Sequence, residues 1–380
     1  MALNQVGLER LNTATTKKIG MNKNLIINGG MTVAQRATTA SGVGGGAAID
    51  ACDRWKRSID LPGGVSTLTI SQETDSPDGF SNSLKVTPNQ ARNTALSGAD
   101  RFFLNYIIEA KDIRNSGWDY TDSNSKLTLS FYIKSNLTGV VSIEVRAHDA
   151  PNNQSHFHRS VTINSANTWE RKTVTIIGNS NLVFNDDTGE GLSVSLHYAA
   201  GPTFTSGTFT SGVWQDNTAG NRSSSSNIDI FSSASNFVSL TGVQLELGSV
   251  ATDFEHRSFA QELALCQRYC CKWHTNGAST NNHSRFLTGY YGSSTSGVFF
   301  LTHPVSMRAT DGRTLTHNIT NIESLSGGGN SNNLSLLTDG NSNMISGITV
   351  AGLSGVTQFD TYVCRISAQT DWFIIMDSEL

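Results

Sequence analysis

Four short stretches of the chain carry residue types that could do chemistry. In "HFH" two imidazoles, His156 and His158, flank Phe157. On a strand, positions i and i+2 point the same way, so both rings could face one metal ion. Three chains meeting at a threefold axis would complete an octahedral set. The plainer reading is a solvent-facing strand edge that carries two histidines. "TDSPDGFSNSLKV" (Thr74–Val86) places Asp75 and Asp78 in a turn before a strand. Two carboxylates with backbone carbonyls suit Ca²⁺, and Asp-Gly equally suits a turn that needs positive φ. "FNDDTGEG" (Phe184–Gly191) gathers Asp186, Asp187 and Glu190 without EF-hand spacing, and reads as a solvated loop. "SGWDYTD" (Ser116–Asp122) sets Trp118 and Tyr120 beside Asp119 and Asp122. Exposed rings next to acceptors would stack on and hydrogen-bond a sugar. The same rings would also plug the end of a sandwich.

For catalysis the sequence is poor. There is no GxSxG elbow, no HExxH and no GxxxxGK[ST] loop. "GVGGG" (Gly42–Gly46) precedes no helix with a Lys and reads as a flexible loop. Glycosidases need two carboxylates across a cleft, a spacing no sequence displays. No enzyme activity is expected, and no cofactor.

Charged residues make up only 15% of the 380 residues, against roughly 25% in ordinary soluble proteins. Ser, Thr, Asn and Gly therefore supply the polar surface, as suits an extracellular or virion protein. A net charge of −4 provides no basic field for nucleic acid. No run approaches the roughly 18 apolar residues of a membrane span, and residues 1–20 lack the apolar stretch of an export signal. Five cysteines, Cys52, Cys266, Cys270, Cys271 and Cys364, are an odd number without CxxC spacing. That points to free thiols made in a reducing cytoplasm, not to a disulfide framework or a zinc site.

The elements that must position these residues are strands. "LTLSFYIKS", "GVVSIEVRAH", "RKTVTIIG", "LSVSLHYAA" and "SLTGVQLELG" alternate apolar and polar residues between clusters of turn formers. Alternation means one wet face and one buried face, hence antiparallel sheets in a sandwich or jelly roll. "NLIINGG" reads as its first strand. "HRSFAQELALCQRYCCKW" (His256–Trp273) breaks the pattern with Phe259, Leu263, Cys266 and Tyr269 at helical spacing, Ser258 as N-cap and Glu262 in the first turn. Strand patterns then resume, with a loop at "GGGNSNN", to a closing "WFIIM" that should be covered on both faces. The expected organisation is all-β. An attachment arm spans 1–23, a jelly-roll β-sandwich 24–257, a connector helix 258–273 and a smaller C-terminal β domain 274–380.

Several of these segments carry a resemblance. "NLIINGGMTVAQR", "DRWKR" (Asp53–Arg57), "SPDGFSNSLKV", "LTLSFYIKSNLTG", "NTWERKTVTI" and "TGVQLELGSVATDFEHRSFAQELALCQRY" are together similar to phage tail-fibre and virion structural proteins, particularly of marine and cyanobacterial phages. They span roughly 24–273, and the last is the most specific. The same order also resembles carbohydrate-binding jelly rolls, with Asn24, Leu25, Asn28, Gly29, Gly79, Ser83, Leu84, Lys85, Val86 and Trp169 in the matching places. Such modules often carry a structural Ca²⁺. Here Met31 and Thr32 stand where the first acidic ligand would be, and "LTGVQLE" lacks the paired aspartates of the last strand.

The resemblance implies a virion component, made in the host cytoplasm, that displays a jelly roll to host polysaccharide as a tail fibre or similar appendage. It implies a homotrimer joined to other tail or capsid proteins through residues 1–23. A capsid-decorating or tail-adaptor protein is the alternative, and a polysaccharide depolymerase the third.

Overall fold

A computed structural model describes residues 23–60, 67–150, 155–274, 284–309, 312–320, 322–324, 331–337, 341–353, 358, 361–366 and 371–380. The expected attachment arm, up to residue 22, and most of the "GGGNSNN" loop lie outside them. The chain divides into two compact units, one up to Phe259 with Leu380, the other Ala260–Glu379.

The first unit is a two-layer antiparallel sandwich. In one layer β1 (Thr39–Val43), β4 (Leu68–Glu73), β5 (Ser83–Pro88), β13 (Val238–Leu247), β7 (Lys126–Ser135) and β10 (Glu170–Ile177) lie in that order. In the other the order is β12 (Trp214–Gln215), β9 (His156–Ile163), β8 (Gly139–Ala147), β11 (Glu190–Ala200), β6 (Arg101–Glu109), β3 (Lys56–Asp60) and β2 (Gly46–Ala48). From β5 onward the chain crosses repeatedly between layers: β6 in the second, β7 in the first, β8 and β9 in the second, β10 in the first, β11 in the second. That is jelly-roll connectivity. The alternation read from the sequence sets the inner faces. Leu127, Leu129, Phe131 and Ile133 of β7 meet Val141, Ile143 and Val145 of β8 and Leu192, Val194 and Leu196 of β11 in one core. Apolar area removed from water, at about 25 cal/mol per Å², drives this packing.

"NLIINGG" is not a ladder strand, although it does the work of one. β13 shifts register against β7 between Thr241 and Gln244. Before the shift it pairs with β5 at Val238–Leu240. After it, residues 24–29 take the place of β5. Leu25 N–H donates to Leu245 O (2.9 Å) and Val243 N–H to Gly29 O (3.0 Å). The Asn24 amide supplies the rest: Nδ2 donates to Val243 O (3.0 Å), and Oδ1 accepts from Leu245 N–H (3.0 Å) and Ile26 N–H (2.9 Å). Glu255 then accepts from the backbone N–H groups of Lys23 and Asn24, 2.9 Å each. Side-chain amides thus satisfy backbone groups that a regular strand would satisfy itself. Gly29 is required by proximity, since a Cβ there would lie 2.0 Å from Val243 O.

In the second unit the helix is Phe259–Gln267. The connector expected over 258–273 is therefore too long. Cys270–His274 is a strand, paired residue for residue with Phe373–Asp377. Tyr269, Cys270 and Cys271 fit the helical spacing, but tertiary pairing with the apolar terminal strand decides their conformation. That strand also pairs with Thr314–His317, and Ile374, Ile375 and Met376 are buried, so both its faces are covered. A six-stranded antiparallel sheet built on Ser284–Tyr291, Ser296–Thr302 and Ile345–Ala351 completes the unit. Cys52, Cys266, Cys270 and Cys271 are buried thiols. Burial pushes the Cys52 thiol far above its ordinary range, so it stays protonated.

Asn24→Ala should strand the N–H groups of Ile26 and Leu245 and the carbonyl of Val243. Each buried group left unsatisfied costs about 1–3 kcal/mol. Urea unfolding should show a midpoint lowered accordingly, and an unchanged midpoint would mean the amide does not hold this seam.

Candidate functional site

The bulge that admits residues 24–29 has a second consequence on the outer face of the same sheet. Gly242 has φ +60, and a Cβ there would sit 2.6 Å from Phe80 Cζ and 3.0 Å from Tyr132 Cδ2. Without a side chain at 242, four rings close over the strand. Phe80 stands 5.5 Å from Tyr132, 5.0 Å from Phe254 and 5.3 Å from His256, with Phe254 to His256 at 4.9 Å. These rings, with Ser130, Asp78, Arg171 and Asp253, line a cleft of about 200 Å³. Phe80, Tyr132 and Phe254 are half-buried and His256 is exposed.

Each wall has a local cause. Ser130 and Tyr132 point outward because Leu129, Phe131 and Ile133 point inward. Arg171 is the cross-strand partner of Tyr132 on the edge strand β10, so it shares that face. Its guanidinium donates to Thr252 O, which holds the tail 252–256 over the sheet. Asp78 and Phe80 come from the turn after β4. Half-buried rings ringed by one guanidinium and two carboxylates, all exposed, offer apolar faces for C–H groups and polar groups for hydroxyls.

The residues singled out from the sequence go elsewhere, with one exception. Asp78 lines the cleft. Asp75 instead takes Lys134 Nζ at 2.8 Å and Trp169 Nε1 at 3.2 Å. The Lys134 bond, ahead of a smaller opposing desolvation, lowers its pKa, so Asp75 is held ionised between Lys134 and Trp169. Trp118 is 3% exposed and packs with Tyr120 and Phe184 in the core. A ring that buried is a plug and cannot be a stacking platform. Asp119 and Asp122 serve their own turn: Asp119 accepts from Thr121 Oγ1, and Asp122 from Asn124 N–H. Asp187 likewise accepts from Gly189 N–H.

His156 and His158 do share a face, as their spacing requires, but that face is buried. The solvent-facing edge expected of them is covered. His156 Nε2 lies 3.3 Å from Glu144 Oε1, and the ring of His158 faces Phe209. Among the described residues no three His, Cys, Asp or Glu side chains gather around a metal position.

Ser193, His148 and Glu190 are linked in the order of a hydrolytic triad. Ser193 Oγ is 2.9 Å from His148 Nε2, and His148 Nδ1 is 2.8 Å from Glu190 Oε2. Their exposure is inverted. Ser193 is 4% exposed, whereas the Glu190 side chain is 40% exposed. Acyl transfer needs an accessible nucleophile and a sheltered carboxylate, so this relay fastens the end of β8 to β11.

What the sequence reading missed is the ring cluster itself. Phe80, Tyr132 and Phe254 come from segments far apart along the chain. The available signal was Gly242, a lone glycine within an alternating strand, which marks a bulge or a close approach.

No family model and no curated protein matches the chain. Solved structures do. A sugar-binding protein from Bacteroides thetaiotaomicron, described as putative, is 15% identical, with 59% of this chain aligned to all of that one at a TM-score of 0.31. The enzymatically active domain of tailspike protein 4 of bacteriophage CBA120 is 10% identical, over 60% of this chain and 22% of that one, at 0.29. A family 61 carbohydrate-binding module in complex with β-1,4-galactotriose is 9% identical, over 60% of this chain and all of that one, at 0.27.

Trp118→Ala should cost about 3–5 kcal/mol, as a large-to-small change in a core does. Thermal unfolding should show the corresponding drop in Tm, and a Tm within a degree of the parent would return Trp118 to the surface.

Proposed function

We propose that the first unit is a glycan-recognition module and that the cleft over Gly242 takes a sugar ring. The supporting observation is the cluster of Phe80, Tyr132, Phe254 and His256, held partly open to solvent beside Asp78, Arg171 and Asp253. Rings stack on the C–H face of a pyranose, and the polar side chains meet its hydroxyl edge. Two carboxylates against one guanidinium disfavour an anionic sugar, so the preferred ligand is neutral. Rings left half-exposed at a cost in solvation are what a stacking site requires.

The tail-fibre setting rests on the sequence resemblance. In that setting the protein is a non-enzymatic appendage subunit that recognises host-surface polysaccharide. It acts as a homotrimer, and the segment before the sandwich joins it to the virion. Light scattering should give three times 40.8 kDa, and a monomer at micromolar concentration would refute the trimer.

The binding reading is tested on an array of neutral and acidic oligosaccharides. The parent protein should retain a neutral set. Tyr132→Ala and Asp78→Ala should each weaken that binding by about tenfold or more, roughly 1.4 kcal/mol, with Tm nearly unchanged because both side chains reach solvent. Retention undiminished in both variants would dismiss the cleft as the site.

A further inference from the structure

The outer face of the seven-stranded sheet is crossed by a strap, residues 202–226, that leaves the end of β11. It is tied down at several points. Gly212 N–H donates to His158 O (2.8 Å), and Trp214–Gln215 pairs with β9, the Trp214 ring packing on Phe157 in the core and its Nε1–H donating to Ile177 O (2.7 Å). Ser224 N–H donates to Ser142 Oγ (2.9 Å). Phe204 lies beneath the guanidinium of Arg101, 4.8 Å away, and near that of Arg222.

The central tie is ionic. Arg222 reaches from the strap to Glu144 of β8 with two bonds, Nε to Oε1 at 2.8 Å and Nη2 to Oε2 at 2.9 Å. His197 of β11 adds its Nε2 at 3.1 Å from Oε2, and His156 of β9 its Nε2 at 3.3 Å from Oε1. His158 is fully buried beside them, and neither of its ring nitrogens has a hydrogen-bond partner. A strap normally closes over apolar residues. Besides burying the rings of Phe204 and Trp214, this one closes over a carboxylate and three imidazoles.

We propose that the strap is an acid-released latch: protonation of His156 and His158 beneath it places positive charge beside Arg222 and frees the strap on either side of the Trp214 anchor while the sandwich stays folded. The charge count from each neighbouring element favours this. Arg222 comes from the strap, Arg101 from β6, Arg146 and Glu144 from β8, and His197 from β11. The single carboxylate is already shared by Arg222, His197 and His156. An imidazolium donates from both nitrogens, and His158 meets no acceptor at either.

The direction of the pH dependence follows. Burial lowers both imidazoles from 6.5 to about 4, against the pull of Glu144. Once the strap lifts, each returns to its ordinary value and binds protons more tightly. Closure therefore loses stability as pH falls through 6.5 toward 4. Burial by itself would raise the Glu144 carboxyl. The hydrogen bond from His197 and the charge of Arg222 outweigh it and hold the group well below the usual range. Glu144 thus stays ionised across that window.

Hydrogen exchange of the whole chain, corrected for the intrinsic pH dependence of exchange, tests this. Amides of 202–212 and 216–226 should exchange at least about tenfold faster at pH 5 than at pH 7, while amides of β7 and β8 keep their protection. His156→Gln with His158→Gln, or His158→Gln alone should the pair not fold, should move that opening to lower pH. Glu144→Gln should open the strap already at pH 7. The latch is refuted by a strap that stays protected down to pH 4, by strap and sandwich exchanging in one step, or by histidine variants that open at the parent pH.

Discussion

One extra residue in β13 organises the first unit. The strand pairs with β7 along its length, with a register shift between Thr241 and Gln244, and with β5 only up to Leu240. A buried strand cannot leave Val243 and Leu245 without partners. Residues 24–29 fill that gap, locked by the Asn24 amide and clasped by Glu255. On the outer face the same bulge sets Gly242 beneath the rings of Phe80 and Tyr132 and lets them close to within 5.5 Å of each other. The tail that clasps the inner seam through Glu255 contributes Phe254 and His256 to the outer cleft. Closure of the sandwich and construction of the candidate site are two consequences of a single bulge.

The two outer faces solve the same problem in opposite ways. Over the first sheet, rings remain half-open beside exposed charges. Over the second, the strap and its Arg222 seal a carboxylate and three histidines away from water. Buried ion pairs recover their desolvation cost only with good geometry. Glu144 has it, with Arg222 and His197 spanning both oxygens. His158 does not: it has a partner at neither nitrogen, and His197 has none at Nδ1, so these rings are the weak points of the network.

The sandwich was legible because period-two alternation reports directly which side chains face inward. The strands of β7, β8, β10, β11 and β13 carry it cleanly. The end of the helix was not legible, because Tyr269 to Trp273 satisfies helical and strand patterns alike, and only the pairing with Phe373–Asp377 distinguishes them. Local pattern placed His156 and His158 on one face but could not reveal a strap folding over it from 202–226. It flagged Trp118 as an aromatic beside a turn, yet Phe184, some sixty residues away in sequence, makes that ring a plug. The candidate cleft joins Asp78, Tyr132, Arg171, Gly242 and Phe254, and only the aspartate's turn and the glycine leave a local mark.

The central claim, that the bulge at Gly242 builds a sugar site, is tested most directly by a crystal structure of the protein soaked with a neutral oligosaccharide that it retains. The account predicts a pyranose lying against the rings of Tyr132 and Phe254, with its hydroxyls reaching Asp78, Asp253 or Arg171. A well-ordered sugar bound on the other sheet, or at the sandwich ends with this cleft empty, would contradict it.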